Sequence, residues 1–169
     1  MSLDKFFSLP DLKKKIAEER KKNKKIALAN GGFDLIHIGH IRYLREAKKT
    51  AHILVAALNS DSSLKKLKGD KRAIIDEKGR VRIISSLECV DYVIVFDELT
   101  VDRVLLTLKP DFHCKGSDYT ADSVPERETV KSYGGEIAIV GGEKIRSTSK
   151  ILKQIAGSSE GNENRRRKN

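Results

Sequence analysis

Residues 30–40 read Asn30-Gly31-Gly32-Phe33-Asp34-Leu35-Ile36-His37-Ile38-Gly39-His40. His37 and His40 are three residues apart, so on a helix that starts there they share a face. The glycine turn before them presents backbone N–H groups, and a helix N-terminus behind it favours negative charge. That combination suits an anion, above all a phosphate, and two imidazoles can donate hydrogen bonds to a phosphate chain. Gly31 and Gly32 let the backbone come close to such a ligand, as a residue without Cβ does at little cost. Asn30, Phe33 and Gly39 complete the frame of the turn. Asp34 is the carboxylate placed to orient a histidine or help place a metal ion; bracing the turn is the competing role.

Other residues of the right chemical type lie far away in sequence. Arg146-Ser147-Thr148 offers a guanidinium, two hydroxyls and a helix start, which together suit a leaving anion. An ordinary helix cap is the plainer account of the same three residues. Lys48 or Lys49, at the end of the first crossover helix, is read as a further phosphate ligand, with Lys48 preferred. Lys68, Asp70 and Arg72 in a charged stretch, and Lys115 with Asp118 after a strand, are read as contacts to a second substrate. Solvated lysines and a charged surface loop would look the same.

The elements that must carry these groups follow from the apolar pattern. Leu12 and Ile16 mark an N-terminal helix of about residues 10–22, opened by Ser8-Leu9-Pro10-Asp11. Ile26–Ala29 and the continuous apolar run Ile53–Leu58 read as strands, the second buried on both faces. Residues 59–78 read as a long loop with at most one helical turn. Tyr92–Phe96, Asp111–Cys114 and Glu136–Val140 read as three more strands. Helices are expected over 41–50, 80–87, 101–108, 126–133 and 147–155. Strands alternating with helices imply right-handed βαβ crossovers: a Rossmann-like three-layer αβα fold on a five-stranded, mainly parallel sheet. Ligands of such sheets bind at the carboxyl ends of the strands, where the turns named above can converge.

The chain has 169 residues and a formal charge of +10, which favours anionic partners without selecting one. One domain over residues 1–156 and a basic, disordered tail over 157–169 are expected. Cys89 and Cys114 do not make a disulfide framework, and with no secretory leader the reading is a cytoplasmic protein. No apolar run reaches membrane-spanning length. The basic ends could serve an RNA-binding module, but aromatic residues are few and no interleaved aromatic and basic motif occurs.

The His-x-Gly-His spacing after a strand resembles the signature of the cytidylyltransferase-like nucleotidyltransferases. Further segments fall in the order seen in bacterial D-glycero-β-D-manno-heptose 1-phosphate adenylyltransferases. These are Asn59-Ser-Asp61, Leu67-Lys-Gly-Asp70, Arg72, Val90-Asp91, Lys109-Pro-Asp111, Lys115-Gly-Ser-Asp-Tyr119, Gly134-Gly-Glu136 and Arg146-Ser-Thr-Ser149. The likeness spans about residues 10–155. Gly32, Ala73 and Ser117 depart from the residues usual at their positions, and none of these departures removes a proposed phosphate ligand. The resemblance implies transfer of AMP from ATP to a heptose 1-phosphate, with Mg²⁺ held by the ATP phosphates. The products it implies are ADP-heptose and pyrophosphate, and the pathway it implies is that of the lipopolysaccharide core. His37, His40, Lys48 and Arg146 are read as the catalytic residues. The resemblance implies a standalone transferase, ATP and a sugar 1-phosphate as partners, and a homodimer is an admissible assembly. No membrane or nucleic-acid partner is expected. Relatives that use CTP on glycerol 3-phosphate or ethanolamine phosphate share the histidines and the Ser/Thr turn, and form the alternative.

Overall fold

The computed structural model describes residues 4–68 and 73–142. Its elements alternate: α1 (Leu9–Lys21), β1 (Ile26–Gly31), α2 (Ile38–Lys49), β2 (Ile53–Asn59), α3 (Asp61–Lys68), α4 (Glu77–Ser85), β3 (Tyr92–Phe96), α5 (Asp102–Leu108), β4 (Phe112–Gly116), α6 (Arg127–Ser132) and β5 (Glu136–Val140). The five strands form one sheet in the order β3-β2-β1-β4-β5. Every pairing is parallel. Among the described residues the sheet is therefore wholly parallel, where the sequence indicated only a mainly parallel one. The expected helix over 147–155 and the tail over 157–169 lie outside the described residues.

β2 sits at the centre of one half and is buried along its whole length. Its side chains alternate between two cores. Ile53, Val55 and Ala57 join Leu12, Ile16, Val104 and Leu105 on one face. Leu54, Ala56 and Leu58 join Leu44, Ala47, Val81 and Ile84 on the other. That division follows from the two-residue period of a strand, and it explains why β2 reads as an unbroken apolar run.

The helix ends have local causes. Ser8 caps α1 by accepting from the Asp11 N–H, with Pro10 in the first turn. Asp76 caps α4 by accepting from the Gly79 N–H at 2.7 Å, so the helix starts at Glu77 rather than at Arg80. The stretch read as a long loop contains a two-turn helix, α3, which buries Ser63 and Leu64. Its apolar signal is only Leu64 and Leu67 among lysines and serines, too sparse to show as a helical stripe.

The strands do not stay paired equally far. β1 and β2 pair to Gly31↔Leu58, and β4 and β5 pair to Gly116↔Val140. β1 and β4 pair only to Ala29↔Cys114. Asn30 and Gly31 therefore part from Lys115 and Gly116 at the carboxyl edge. This is also where the strand order reverses direction, the position at which open parallel sheets form a ligand crevice.

Candidate active site

The turn leaving β1 places the two histidines at this crevice. His37 is the N-cap of α2, and its Nδ1 accepts from the Gly39 N–H at 3.1 Å. A neutral His37 then carries its proton on Nε2. α2 starts at Ile38, three residues earlier than its apolar pattern suggests, because the imidazole itself supplies the cap. His40 stacks on His37 with ring centroids 3.9 Å apart and planes 19° from parallel.

An aromatic column supports the pair. Phe33 meets His40 edge-on at 5.5 Å and stacks near Tyr43 at 6.4 Å. The Tyr43 hydroxyl donates to the Cys114 carbonyl at 2.7 Å. Burial, with Cys114 beside it, pushes the Tyr43 hydroxyl well above the usual phenol range, so it stays a donor. Phe33 has φ 46, a left-handed conformation uncommon for a bulky residue, and is 3% exposed. Its side chain is therefore a floor under His40. Gly32 has a different constraint: a Cβ there would come within 2.8 Å of Leu64 Cδ2.

Asp34 is buried, and its Oδ1 accepts from the N–H groups of Ile74 and Ile75 at 2.9 and 3.0 Å. Those bonds tie the histidine turn to the segment that enters α4, which is the bracing role. Arg80 was not singled out from the sequence. It is 0% exposed and donates to Gly32 O and Asn59 O at 2.7 Å each, to Ile75 O at 3.1 Å and to Asp61 Oδ1 at 2.7 Å. One guanidinium thus joins the glycine turn, the end of β2, the start of α3 and the approach to α4. Burial alone would raise the Asp61 carboxyl, but the Glu77 N–H and Arg80 outweigh it and hold it below the usual range. A signal was available: Arg80 and Ile84 are i, i+4, so Arg80 lies on the apolar face of α4.

Across the crevice, Lys115 is buried against Glu126 and Asn30. Asn30 Oδ1 also lies 3.2 Å from His113 Nε2. Burial first, and Lys115 second, depress His113 to about 3, so its ring is neutral. Glu126 and His113 were not among the expected site residues. Asp118 lies exposed in the turn after β4.

Lys48 requires a correction. Its Nζ pairs with Asp91 Oδ2 at 2.6 Å and donates to the His52 carbonyl. Asp91 Oδ2 also accepts from the Leu54 N–H at 2.7 Å. These residues sit where β2 and β3 begin, at the amino edge of the sheet. Lys48 follows His37 by 11 residues, a rise of roughly 16 Å along α2. Lys48 therefore cannot share a site with His37. Lys49, the alternative, pairs with Glu46 at 2.7 Å on the same remote turn. Asp70, Arg72, Arg146, Ser147 and Thr148 lie outside the described residues, and Lys68 is the last residue of α3.

A glycine turn feeding a histidine-capped helix, beside a crevice in a 3-2-1-4-5 parallel sheet, defines a nucleotide-binding α/β domain. Residues 28–166 match the cytidylyltransferase-like family, and the chain belongs to it. It is 46% identical over 140 residues to the bifunctional protein HldE of Geobacter metallireducens, covering 83% of this chain and 29% of that protein. With HldE of Methylobacillus flagellatus the identity is 42% over 153 residues, covering 90% and 31%. The chain thus spans under a third of the length of these curated relatives. Among solved structures, a lipopolysaccharide core biosynthesis protein from Thermoplasma volcanium superposes with a TM-score of 0.63 at 30% identity, covering 72% of this chain and 99% of that one.

Proposed function

We propose that the chain is an adenylyltransferase that moves AMP from ATP to a heptose 1-phosphate, releasing pyrophosphate. The observation that carries this reading is the stacked His37–His40 pair at the start of α2, beside the crevice where β1 and β4 separate. The matched relatives support it, since one of them is named for lipopolysaccharide core synthesis.

The chemistry needs no general base, because the attacking phosphate oxygen is already anionic. A sugar-phosphate oxygen bonds to the α-phosphorus of ATP while the bond from that phosphorus to the bridging α,β oxygen breaks. The electron pair leaves with pyrophosphate. The protein's task is to align the two ends and stabilise the charge between them. His37 would donate to the phosphate chain from Nε2, its Nδ1 being held by the Gly39 N–H. His40, stacked on it, would contact a neighbouring phosphate oxygen. Gly31, Gly32 and Gly39 would let the triphosphate lie against the backbone. Arg146, Ser147 and Thr148 would grip the leaving pyrophosphate. Lys68, Asp70, Arg72, Lys115 and Asp118 would face the acceptor.

Among the described residues, no group of three His, Cys, Asp or Glu side chains is placed to hold a metal ion. Asp34, in the histidine turn, is engaged by two backbone N–H groups. Mg²⁺ would arrive on the ATP phosphates, where it would neutralise part of their charge. Among the described residues no helix is long and apolar enough to cross a membrane.

The test is pyrophosphate release with ATP or CTP against a heptose 1-phosphate, glycerol 3-phosphate and ethanolamine phosphate. ATP with the heptose phosphate should give the highest kcat/KM. His40→Ala should lower kcat by about 10²–10³ while the thermal transition stays cooperative. Near wild-type turnover in that variant would remove the histidines from the mechanism. Preference for CTP with glycerol 3-phosphate would establish the cytidylyltransferase alternative.

A further inference from the structure

The carboxyl end of β4 carries a second built group of side chains. Lys115 Nζ lies 3.0 Å from Glu126 Oε2, 3.2 Å from Glu126 Oε1 and 3.1 Å from Asn30 Oδ1. The Lys115 and Glu126 side chains are 9% and 6% exposed. The same nitrogen sits over the Tyr119 ring, 5.2 Å from its centroid. Tyr119 itself is 38% exposed, an unusual position for an aromatic ring beside a buried ion pair.

An ammonium has three N–H donors. Glu126 and Asn30 take up two directions, and the tyrosine ring covers the third side as a cation–π contact. One face of the ring is thus held by the cation, while the residue stays partly exposed. Lys115 and Gly116 form the β4 wall of the crevice, and Asn30 forms the β1 wall, one residue before the Gly31-Gly32 turn. Tyr119, held over Lys115 Nζ, therefore stands beside the carboxyl end of β4, next to the point where β1 and β4 part.

We propose that Tyr119 is the platform for the acceptor's sugar ring, with Asn30 and Glu126 as positioning residues that hold Lys115 beneath it. This rests on the transferase reading above. A pyranose has a C–H face that can lie on an aromatic ring, and a ring already fixed by a cation loses little freedom when it is covered. Acyclic acceptors such as glycerol 3-phosphate have no such face. The platform thus selects for a cyclic sugar phosphate, a choice the phosphate-binding turn cannot make.

Steady-state kinetics on the full chain test this, with ATP as donor and a heptose 1-phosphate or glycerol 3-phosphate as acceptor. Tyr119→Ala should raise KM for the sugar phosphate about 10-fold, with KM for ATP and the melting temperature unchanged, and Tyr119→Phe should restore it. Glu126→Gln should raise the acceptor KM and leave ATP affinity in place. A purely structural Glu126 would instead weaken both affinities and lower the melting temperature. A Tyr119→Ala enzyme with wild-type KM for the sugar phosphate overturns the platform alone. A wild-type enzyme that uses no sugar phosphate with ATP overturns the transferase reading and the platform together.

Discussion

Arg80→Met probes how the site is held together. Methionine fills a similar length of core but donates no hydrogen bond. The change strands Gly32 O and Asn59 O, each 2.7 Å from Arg80 Nη1, and Ile75 O at 3.1 Å from Nε. A buried acceptor left without its donor costs about 1–3 kcal/mol. The Asp61 side chain is 48% exposed and can hydrate, so losing that ion pair adds about 0–1 kcal/mol. Against these, the native state no longer bears the desolvation of a fully buried charge. The balance is a loss of about 2–4 kcal/mol, large beside the ~5–15 kcal/mol stability of a domain this size. In urea the midpoint should fall by about 1–2 M at constant slope. Calorimetry below the transition should show ATP binding weakened about 10-fold, because Arg80 fixes the carbonyl of Gly32 in the phosphate turn. Arg80→Lys should recover under half of the stability, since one ammonium cannot span four acceptors set around a planar fork. A midpoint within about 0.3 M of wild type, with unchanged ATP affinity, would refute the view that this guanidinium organises the site.

Two further perturbations separate structure from chemistry. Lys48→Met should cost about 1 kcal/mol by breaking the pair with Asp91, and should leave kcat within about twofold, as read by urea midpoints and pyrophosphate release. A large drop in kcat without loss of stability would return Lys48 to the reaction. His113 gives a pH dependence. Its folded pKa of about 3 lies below the ordinary 6.5, so the unfolded chain takes up the proton first. The stability it contributes is complete above about pH 6.5 and is lost as the pH falls from there toward 3. The slope is at most about 1.4 kcal/mol per pH unit. His113→Gln should flatten urea midpoints measured between pH 6.5 and 4, and parallel curves for the two proteins would disprove the assignment.

Much of the fold was legible because burial on two faces leaves a plain mark. Ile53–Leu58 could only be an interior parallel strand, and Tyr92–Phe96 and Glu136–Val140 appear where the apolar runs place them. α3 was hidden because its buried residues, Ser63 and Leu64, make too small an apolar stripe. Around the crevice, the sequence pointed to His37, His40 and Lys115, because histidines at helical spacing and a lysine after a strand are unusual enough to notice. It did not point to Arg80 or Glu126. Each sits in a run of charged residues, and a charged residue destined for the interior looks no different from its solvated neighbours until its partners are known.

The chain's local chemistry by itself determined the turn, the histidine pair and the alternation of strand and helix. These depend on residues within a few positions of one another, through backbone conformation, capping and periodicity. Only the tertiary structure decided that Lys48 stands at the far edge of the sheet, that Asp34 and Arg80 hold the turn from within, and that Lys115 lies between Asn30 and Glu126. Those facts depend on where β1 and β4 separate, and a separation between strands that are neighbours in space but distant in sequence leaves no local mark.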